Sequence, residues 1–297
     1  MASSFRVFDG HMHVRGVFLP KEGEGQVRMP LVKYLDHYGI AKAVVTTLNE
    51  EVSLKSIAAL LMNFSSVNSP DPADLINQLA EASGNSRATM QNVAMDHEPV
   101  RRLVEEYPDR FVGAYWFNPV DPDQEAAFRA LEVAIDDWGF RMVKIHSAIH
   151  YGRVPEDIER LGEFCASRSV PLFIHLCPAV FSFRGVRPFD VITLAQQYRK
   201  LKIILGHFAY AMEACVESCV AATLRTNVYL DTSLAIPYGL FTGYKVVGYK
   251  RLLFGSDSPV AGPPDGEMNT VHLLQIPDKE KQAIFYDNMA RLLGVED

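Results

Sequence analysis

The sequence is poor in cysteine and tryptophan, and it contains no long hydrophobic run. Its 297 residues include 4 cysteines and 2 tryptophans, and no pair of cysteines has the CxxC spacing of a zinc or redox motif. A chain of this length needs no disulfide framework, so we expect reduced cysteines. No apolar stretch approaches the roughly 18 residues of a membrane helix, and no signal-peptide pattern is present, which predicts a cytoplasmic protein without a membrane partner.

The chain also lacks an excess of positive charge. It has 29 Lys and Arg against 36 Asp and Glu, which gives a formal net charge of -7. An acidic protein repels phosphates, so nucleic acid is not expected as a partner. With 48% hydrophobic and 22% charged residues, the composition is that of a globular protein and excludes a disordered or fibrous one.

Short β-branched and aromatic runs recur along the chain and predict eight strands. Most of the runs are continuously apolar, as expected for parallel strands covered on both faces by helices. They occupy residues 6–9, 43–48, 111–117, 142–146, 172–176, 202–205, 227–231 and 251–254. Amphipathic stretches such as Asp123 to Trp138 and Pro155 to Ser167 predict crossover helices between them. Eight such units favour an α/β fold of the (β/α)8 TIM barrel type, and periodicity alone leaves an open doubly wound sheet as the alternative.

The interval between the second and third strands is about twice as long as the others. We interpret the segment from about residue 50 to 91 as a helical insertion. Because it follows a strand, it is expected on the catalytic face of a barrel, as a lid or as a decorative excursion. No internal repeat or flexible linker interrupts the pattern, so we expect one domain over residues 1–297.

Histidines and an aspartate stand where the predicted strands end. His11 and His13 follow the first strand two residues apart and therefore point the same way. His175 closes the fifth strand, His207 follows the sixth, and Asp257 follows the eighth. In a TIM barrel these ends converge on one mouth, which brings five candidate ligands together. Nitrogen and carboxylate ligands without thiolates suit Zn²⁺, with Mn²⁺, Fe²⁺ or Co²⁺ as alternatives.

Basic residues near the same strand ends predict a small anionic substrate. Lys144 and His146 occupy alternate positions of the fourth strand, so both are expected on one face. Lys144 is expected to reach a substrate carboxylate or, if carbamylated, to bridge two metals. Arg15, Arg153 and Arg184 fall in segments after strands and are candidate substrate-binding groups, although an arginine of this kind, taken alone, is more often a solvated surface charge.

The order of these motifs resembles that of the amidohydrolase superfamily, and in particular its amidohydrolase-related branch. The resemblance covers essentially the whole chain and rests on Asp9-Gly-His-Met-His13, Val143-Lys-Ile-His146, Phe173-Ile-His175, Leu205-Gly-His207, Phe254-Gly-Ser-Asp257, Tyr107 to Gly113 with Asn118-Pro119, and Asn288 to Leu293. It implies a distorted barrel that holds a divalent metal, usually zinc. Hydrolases, lactonases and nonoxidative decarboxylases occur among the members of such a family.

Carried onto this sequence, the resemblance implies four metal ligands: His11, His13, His175 and Asp257. It implies that His207 is a catalytic group or a neighbour of the metal. Because the branch usually holds one ion, we expect a single metal and an unmodified Lys144. The long insertion departs from the family's minimal pattern, so the substrate does not follow from the resemblance.

The preferred function is that of a metal-dependent hydrolase, in which a metal-activated water attacks a C–O or C–N bond of a small carboxylated lactone, ester or amide. Asp257 would serve as the acid-base group and His207 would polarise the attacked carbonyl. The first alternative is a nonoxidative metal-dependent decarboxylase of an aromatic or muconate-type acid. The second is a metal-binding barrel without catalysis. The aromatic residues Tyr238, Phe241 and Tyr244 predict either a homodimer interface or ordinary packing.

Overall fold

One sheet of eight parallel strands organises the molecule. The computed structural model describes residues 5–22, 27–48, 58, 61–63, 65, 67–150, 152–176 and 186–295. The strands are β1 (Val7–His13), β2 (Ile40–Thr46), β3 (Phe111–Trp116), β4 (Met142–Ile145), β5 (Leu172–His175), β6 (Ile203–Gly206), β7 (Val228–Asp231) and β8 (Leu252–Leu253). Each strand pairs with the next one along the chain. All eight predicted strands are confirmed, and their consecutive order excludes the doubly wound alternative.

The first and last strands approach each other and nearly close the sheet into a barrel. Met12 pairs in parallel with Ser258, and the backbone N–H of Asp257 donates to the His11 carbonyl at 2.8 Å. The register of β1 against β2 shifts between Asp9 and Met12. The fold is therefore a (β/α)8 TIM barrel, as predicted. Strand β1 is longer than predicted, since it includes His11 and ends at His13.

Helices connect the strands and surround the sheet. They are α1 (Leu31–Tyr38), α2 (Pro72–Met90), α3 (Glu98–Glu106), α4 (Gln124–Asp136), α5 (Ser147–His150), α6 (Glu159–Arg168), α7 (Asp190–Gln197), α8 (Met212–Leu224), α9 (Pro237–Val247), α10 (Asp265–His272), α11 (Asp278–Gln282) and α12 (Asn288–Leu293). A 3-10 turn (Tyr249–Arg251), a π-helical turn (Ala283–Asp287) and a two-stranded hairpin (Lys21–Glu22 with Val27–Arg28) complete the described elements.

Alternate residues of the strands build two separate apolar cores, which explains why the strands read as continuous hydrophobic runs. In β5, for example, Leu172 belongs to the large core shared with the helices, whereas Phe173 belongs to a second core. The second core contains one residue or more from seven of the strands, together with Met289 and Leu292 of α12. Because apolar side chains fill this level of the barrel, the polar groups concentrate at the carboxyl ends of the strands.

The long segment after β2 contains helix α2 on the side of the barrel where the strands end, which confirms the predicted helical insertion. The side chain of Asp71 caps this helix by accepting hydrogen bonds from two backbone N–H groups. At its other end, buried Met90 packs with Trp116 at the end of β3 and with Ile149 after β4. Glu50, where we placed the start of the insertion, lies outside the described residues.

Three further expectations concern the surface and the cysteines. No helix within the described ranges combines the length and the hydropathy that a membrane crossing requires. Cys165, Cys215 and Cys219 are free and buried, whereas Cys177 lies outside the described residues. On α9, Tyr238 and Phe241 are 67% and 45% exposed. Tyr244 of the same helix instead donates a hydrogen bond to Glu280 at 2.7 Å, so the homodimer stays a prediction.

Candidate metal centre

Two histidines and one aspartate meet at the mouth of the barrel. His11 and His13 project from the end of β1 and are 2% and 3% exposed. Oδ1 of Asp257, which follows β8, lies 3.3 Å from Nε2 of His11 and 3.0 Å from Nε2 of His13. One nitrogen or oxygen atom of each residue lies within 4.8 Å of the others. The structure thus brings together three of the four predicted metal ligands.

The chemistry of these donors fits a divalent metal. Nδ1 of His13 lies 3.3 Å from the carbonyl oxygen of Thr47, and Nδ1 of His11 lies 3.2 Å from Oγ of Ser233. A carbonyl oxygen can only accept, so Nδ1 of His13 carries the proton and its Nε2 keeps the lone pair that binds a metal. Imidazole nitrogens supported in this way, together with one carboxylate, are ligands that Zn²⁺ and similar ions use.

His175, the fourth predicted ligand, reaches the cluster through His207. Nδ1 of His175 lies 3.2 Å from Nε2 of His207, and that same Nε2 lies 3.9 Å from Oδ2 of Asp257. The ring of His175 also stacks on the ring of His146, with 3.6 Å between the centroids. His175 and His207 therefore line the site as predicted, while ligation by His175 stays a prediction.

Lys144 places a buried cation in the centre of the cluster. Its Nζ lies 2.6 Å from Nε2 of His11 and 3.2 Å from Nε2 of His13. The same ammonium lies 4.9 Å from the ring centroid of Trp116 and 5.4 Å from that of Phe173. Burial lowers the pKa of Lys144 to about 8, although the charges of two nearby carboxylates oppose this shift. The side chain thus offers a positive charge to an anion in surroundings shielded from water.

Burial sets the protonation states of the other groups. It lowers the pKa of His13 to about 3 and that of His207 to about 4, so both imidazoles are neutral at pH 7. Burial alone would raise the pKa of Asp257, but the electrostatic effect of the histidines around it, His11 first among them, brings that pKa well below its usual value. A neutral imidazole and an ionised carboxylate are the forms that bind metals.

The backbone is strained at both predicted catalytic residues. His207 and Asp257 have φ angles of 59° and 58°, in the left-handed region that residues with a side chain adopt at a cost. Gly206 precedes His207 in close contact with the ring of Phe173, since a Cβ there would lie 2.4 Å from a ring carbon. The chain therefore turns sharply at His207, after β6, and at Asp257, after β8. These turns direct both side chains into the site.

Asp231 and Ser233 stand behind the site, and we did not predict either from the sequence. Oγ of Ser233 lies 2.8 Å from Nδ1 of His207 and donates a short hydrogen bond to Oδ2 of Asp231. That carboxylate oxygen also accepts from the backbone N–H of His207 at 3.1 Å. Asp231 is the last residue of β7, so the strand-end criterion that selected the other ligands would have found it.

A second buried carboxyl group, that of Asp9, supports the backbone of the site. Its Oδ1 accepts from the N–H groups of His11 and Ser256, both at 3.0 Å. Burial raises the pKa of Asp9 to about 8, although these hydrogen bonds lower it. Asp9 therefore ties the end of β1 to the loop after β8 without placing a second full charge beneath the cluster.

Two of the predicted substrate-binding residues lie at the site. Lys144 is one of them, and His146 is the other: its ring is nearly parallel to that of Trp116, at 9° and 5.2 Å. Its Nδ1 is buried and has no hydrogen-bond partner among the described residues. His146 is thus held by ring stacking beside Lys144, on the side of the barrel that α2 covers.

The structure does not bring the predicted arginines that it describes, Arg15 and Arg153, into contact with the histidine cluster. Arg153 forms an ion pair with Asp157 at 3.1 Å and, within the described part of the chain, makes no hydrogen bond or ion pair with the histidine cluster. Arg15 is exposed and lines a cavity of about 580 Å³ together with Arg28. Arg184 falls outside the described residues. Substrate binding by these three arginines stays a prediction.

Comparison with known proteins agrees with the observed fold. The family model described as Amidohydrolase matches residues 32–295. A 2,6-dihydroxybenzoate decarboxylase from Rhizobium is 16% identical, with 100% of both chains covered and a TM-score of 0.62. A dihydroxybenzoic acid decarboxylase from Polaromonas, with bound manganese and an inhibitor, is 15% identical over 99% and 98% of the two chains, with a TM-score of 0.60.

A 4-oxalomesaconate hydratase from Rhodopseudomonas palustris has a similar structure as well. It is 14% identical, with 97% of this chain and 95% of that chain covered and a TM-score of 0.62. No curated protein matches the sequence. At identities this low, the likeness to the solved structures is a likeness of fold.

Proposed function

Because the chain belongs to the amidohydrolase family, we propose that it is a metal-dependent enzyme that removes CO₂, without oxidation, from a small aromatic or muconate-type carboxylic acid. This was the first alternative from the sequence. It is supported by the charge and the aromatic walls of the site, and by two decarboxylases of dihydroxybenzoates among the structures of similar fold.

The observation that carries the proposal is the setting of Lys144. Its ammonium is buried beside Asp257 and the histidines, with the rings of Trp116 and Phe173 at 4.9 and 5.4 Å. A cation of this kind suits a substrate carboxylate, and aromatic walls suit a planar conjugated body. The site therefore matches a small unsaturated acid better than a neutral or cationic molecule.

His11, His13 and Asp257 would hold the divalent ion, with His175 as the predicted fourth ligand. When bound, such an ion supplies positive charge that anchors an oxygen of the substrate and offsets negative charge as the carboxylate departs. The donor set suits Zn²⁺, which we predicted, and equally Mn²⁺, the ion described with the Polaromonas enzyme.

The reaction exchanges a carboxylate for a proton at the same carbon. The bond between that carbon and the carboxylate breaks, its electron pair stays on the carbon, CO₂ leaves, and the carbon gains a proton. Asp257 is ionised in the resting site, so it would first take a proton from a substrate hydroxyl or from water and then deliver it to the carbon. His207 is neutral and lies 3.9 Å from Asp257, where its Nε2 would orient the substrate hydroxyl by accepting its hydrogen bond.

Hydrolysis of a lactone, ester or amide, which we preferred from the sequence, is the second candidate. It is favoured by the position of Asp257, because an ionised carboxylate beside His11 and His13 has no proton of its own and can accept one from water. The same ligands serve both reactions, so the products formed must discriminate between them.

The test uses the full chain loaded with Zn²⁺ or Mn²⁺. 2,6-Dihydroxybenzoate and a muconate-type acid, each with a ¹³C-labelled carboxylate, are incubated with it in parallel with a panel of lactones, esters and amides. We expect labelled CO₂ to appear at the rate at which an acid disappears. Ring opening or ester cleavage without CO₂ would establish the hydrolase instead, and no turnover of either class by the metal-loaded protein would contradict both.

A further inference from the structure

The hydroxyl of Ser233 contacts three functional groups of the site at once. Its Oγ lies 2.8 Å from Nδ1 of His207 and 3.2 Å from Nδ1 of His11, and it donates to the carboxylate of Asp231. Ser233 and Asp231 are both 0% exposed. A buried hydroxyl shared by two imidazoles and one carboxylate constrains where each proton of this network resides.

The directions of these hydrogen bonds follow from the donors available. Oδ2 of Asp231 accepts from the backbone N–H of His207 at 3.1 Å and lies 3.5 Å from Nδ1 of His11, which is the setting of an ionised carboxylate. A carboxylate has no proton to give, so the single hydroxyl proton of Ser233 points to Asp231. Oγ can then only accept, and each imidazole must bring its own proton on Nδ1.

We propose that Asp231 and Ser233 are positioning residues that hold His11 and His207 as their Nδ1–H tautomers, so that both Nε2 lone pairs face the centre of the site. This inference rests on the proposed function, in which His11 binds the metal and His207 orients the substrate. Neither Asp231 nor Ser233 reaches the reacting atoms, and both act through the imidazoles. The pair would set, in a single network, the orientation of a metal ligand and of a catalytic group.

The loop after β8 is shaped to leave room for this network. A Cβ at Gly255 would lie 2.0 Å from Oδ1 of Asp231 and 2.9 Å from Cβ of His11. Any side chain at this position would therefore displace the carboxylate or the imidazole. The network therefore requires glycine at position 255. The same glycine is part of the Phe254-Gly-Ser-Asp257 motif.

A second metal ion is the competing explanation for these residues. One nitrogen or oxygen atom each of His11, His207 and Asp231 lies within 4.8 Å of the others. However, Oγ of Ser233 contacts all three side chains, so the space between them already holds a hydrogen-bond donor and acceptor. Hydrogen bonds through Ser233, rather than a second metal ion, therefore link these three side chains. The expected metal content stays at one ion per chain.

Nitrogen NMR of the Zn²⁺-loaded chain with ¹⁵N-labelled histidine tests the inference directly, since the shifts of the two ring nitrogens distinguish the tautomers. We expect a proton on Nδ1 in both His11 and His207. Ser233→Ala should let His207 populate the Nε2–H form and should lower kcat by about 10- to 100-fold, the effect typical of residues that orient metal ligands. KM should change little, and Ser233→Thr, which keeps the hydroxyl, should restore the Nδ1–H form.

Ser218→Ala is the matched control, because Ser218 is a buried serine on α8 that makes no described contact with the histidines. It should leave the tautomers and kcat unchanged. A proton on Nε2 of His207 in the wild-type chain would overturn the inference, as would a Ser233→Ala variant with unaltered tautomers and kcat. If Ser233→Ala does not fold, the wild-type spectrum still tests the inference. Asp231→Asn then replaces it as the variant, since it should also let His207 populate the Nε2–H form.

The two proposals fail in different ways. If no acid, lactone, ester or amide is turned over while both imidazoles carry Nδ1 protons, the proposed reaction is wrong and the positioning role stands. If CO₂ is released while His207 carries its proton on Nε2, the reaction stands and the positioning role is wrong.

Discussion

Asp257 connects the two predicted functions of the site, metal binding and proton transfer. Because its carboxylate contacts both histidines of β1 and is ionised, Asp257→Asn keeps a ligand oxygen but loses the proton acceptor. We expect kcat to fall by at least about 100-fold, the usual contribution of general acid-base catalysis, while much of the metal is retained. Steady-state kinetics and elemental analysis of the same preparation measure both effects.

Asp109→Asn is the control for that substitution, since Asp109 is an exposed carboxylate that precedes β3, at the opposite end of that strand from the histidine cluster. It should leave kcat and metal content unchanged. Near-normal turnover by Asp257→Asn would remove Asp257 from the proton transfer.

Lys144 should matter for substrate affinity more than for folding. Its ammonium is a buried charge whose pKa is lowered to about 8 by burial, so Lys144→Met removes a group that is costly to bury and keeps a side chain of similar length. We expect KM for a carboxylated substrate to rise by about 10-fold or more, as the loss of a charged hydrogen bond implies, with a Tm that does not fall. Kinetics and thermal melts test this.

Lys202→Met provides the comparison. Lys202 is a half-buried lysine that donates to the Leu292 carbonyl at 2.8 Å, next to the helix that fills the other end of the barrel. That variant should keep its KM and lose some stability. A KM unchanged in Lys144→Met would contradict the anionic-substrate proposal.

Sequence reasoning found the residues that stand at strand ends, because a barrel brings all such positions to one mouth. His11, His13 and Asp257 were predicted on this ground and are in contact. Asp231 ends β7 and the same criterion would have selected it, whereas its hydrogen bonds with Ser233 and the histidines depend on contacts between strands that no local spacing encodes. Whether an arginine faces solvent or a pocket depends equally on loop conformation, which periodicity does not specify.

Among the elements, α2 is bound to the turn before α6 through one carboxylate, in addition to the packing of Met90. Asp157, in the turn before α6, accepts from both terminal nitrogens of Arg87 at 2.7 and 3.1 Å and from the backbone N–H of Arg153 at 2.7 Å. Its side chain is 12% exposed, so water screens these contacts only partly. Burial raises the pKa of Asp157, but the hydrogen bonds from the two arginines bring it well below its usual value.

This lowered pKa predicts a pH-dependent attachment of α2. A carboxyl group whose folded pKa is depressed adds stability above its unfolded pKa of about 3.9, and this stability is lost as the pH falls through the folded pKa. We expect Asp157→Asn to speed hydrogen exchange in Pro72–Met90 at pH 7 and to lower Tm, with a Tm difference from wild type that shrinks below about pH 4. A difference equal at pH 7 and pH 3 would contradict this account.

The same turn explains where sequence prediction lost accuracy at the level of elements. The apolar spacing predicted a helix from Pro155 to Ser167, whereas α6 spans Glu159–Arg168. The residues before it form turns in which Asp157 binds the backbone of Arg153, and this polar contact competes with the helix. The strands were predicted more closely, since their apolar composition reflects burial on both faces.

At the scale of the whole molecule, eight apolar runs at a regular spacing were enough to predict the barrel from the sequence. The reaction could not be predicted from these runs. Members of one fold differ in the loops and side chains at the mouth. Here the mouth combines a cationic lysine, neutral imidazoles and an ionised aspartate, and these groups, rather than the barrel itself, favour a small acid as substrate.

Metal binding should stabilise the entire chain, because its ligands come from β1 and from the segment after β8, at opposite ends of the sequence. An ion present at 100 times its Kd adds about 2.7 kcal/mol, which for a domain of this size corresponds to a rise in Tm of about 4 °C. Thermal melts with increasing Zn²⁺ or Mn²⁺ measure the shift. His13→Ala removes one ligand and should abolish most of it, and an equal shift in that variant would place the ion elsewhere.

The most direct test of the central claim is the metal content of the chain, purified without chelator and after loading with Zn²⁺ or Mn²⁺, by elemental analysis against protein concentration. The account predicts one divalent ion per 33.2 kDa chain, and much less than one when His11 and His13 are both replaced by alanine. A wild-type chain that holds no ion even after loading, or that holds the same amount as the double variant, would contradict it.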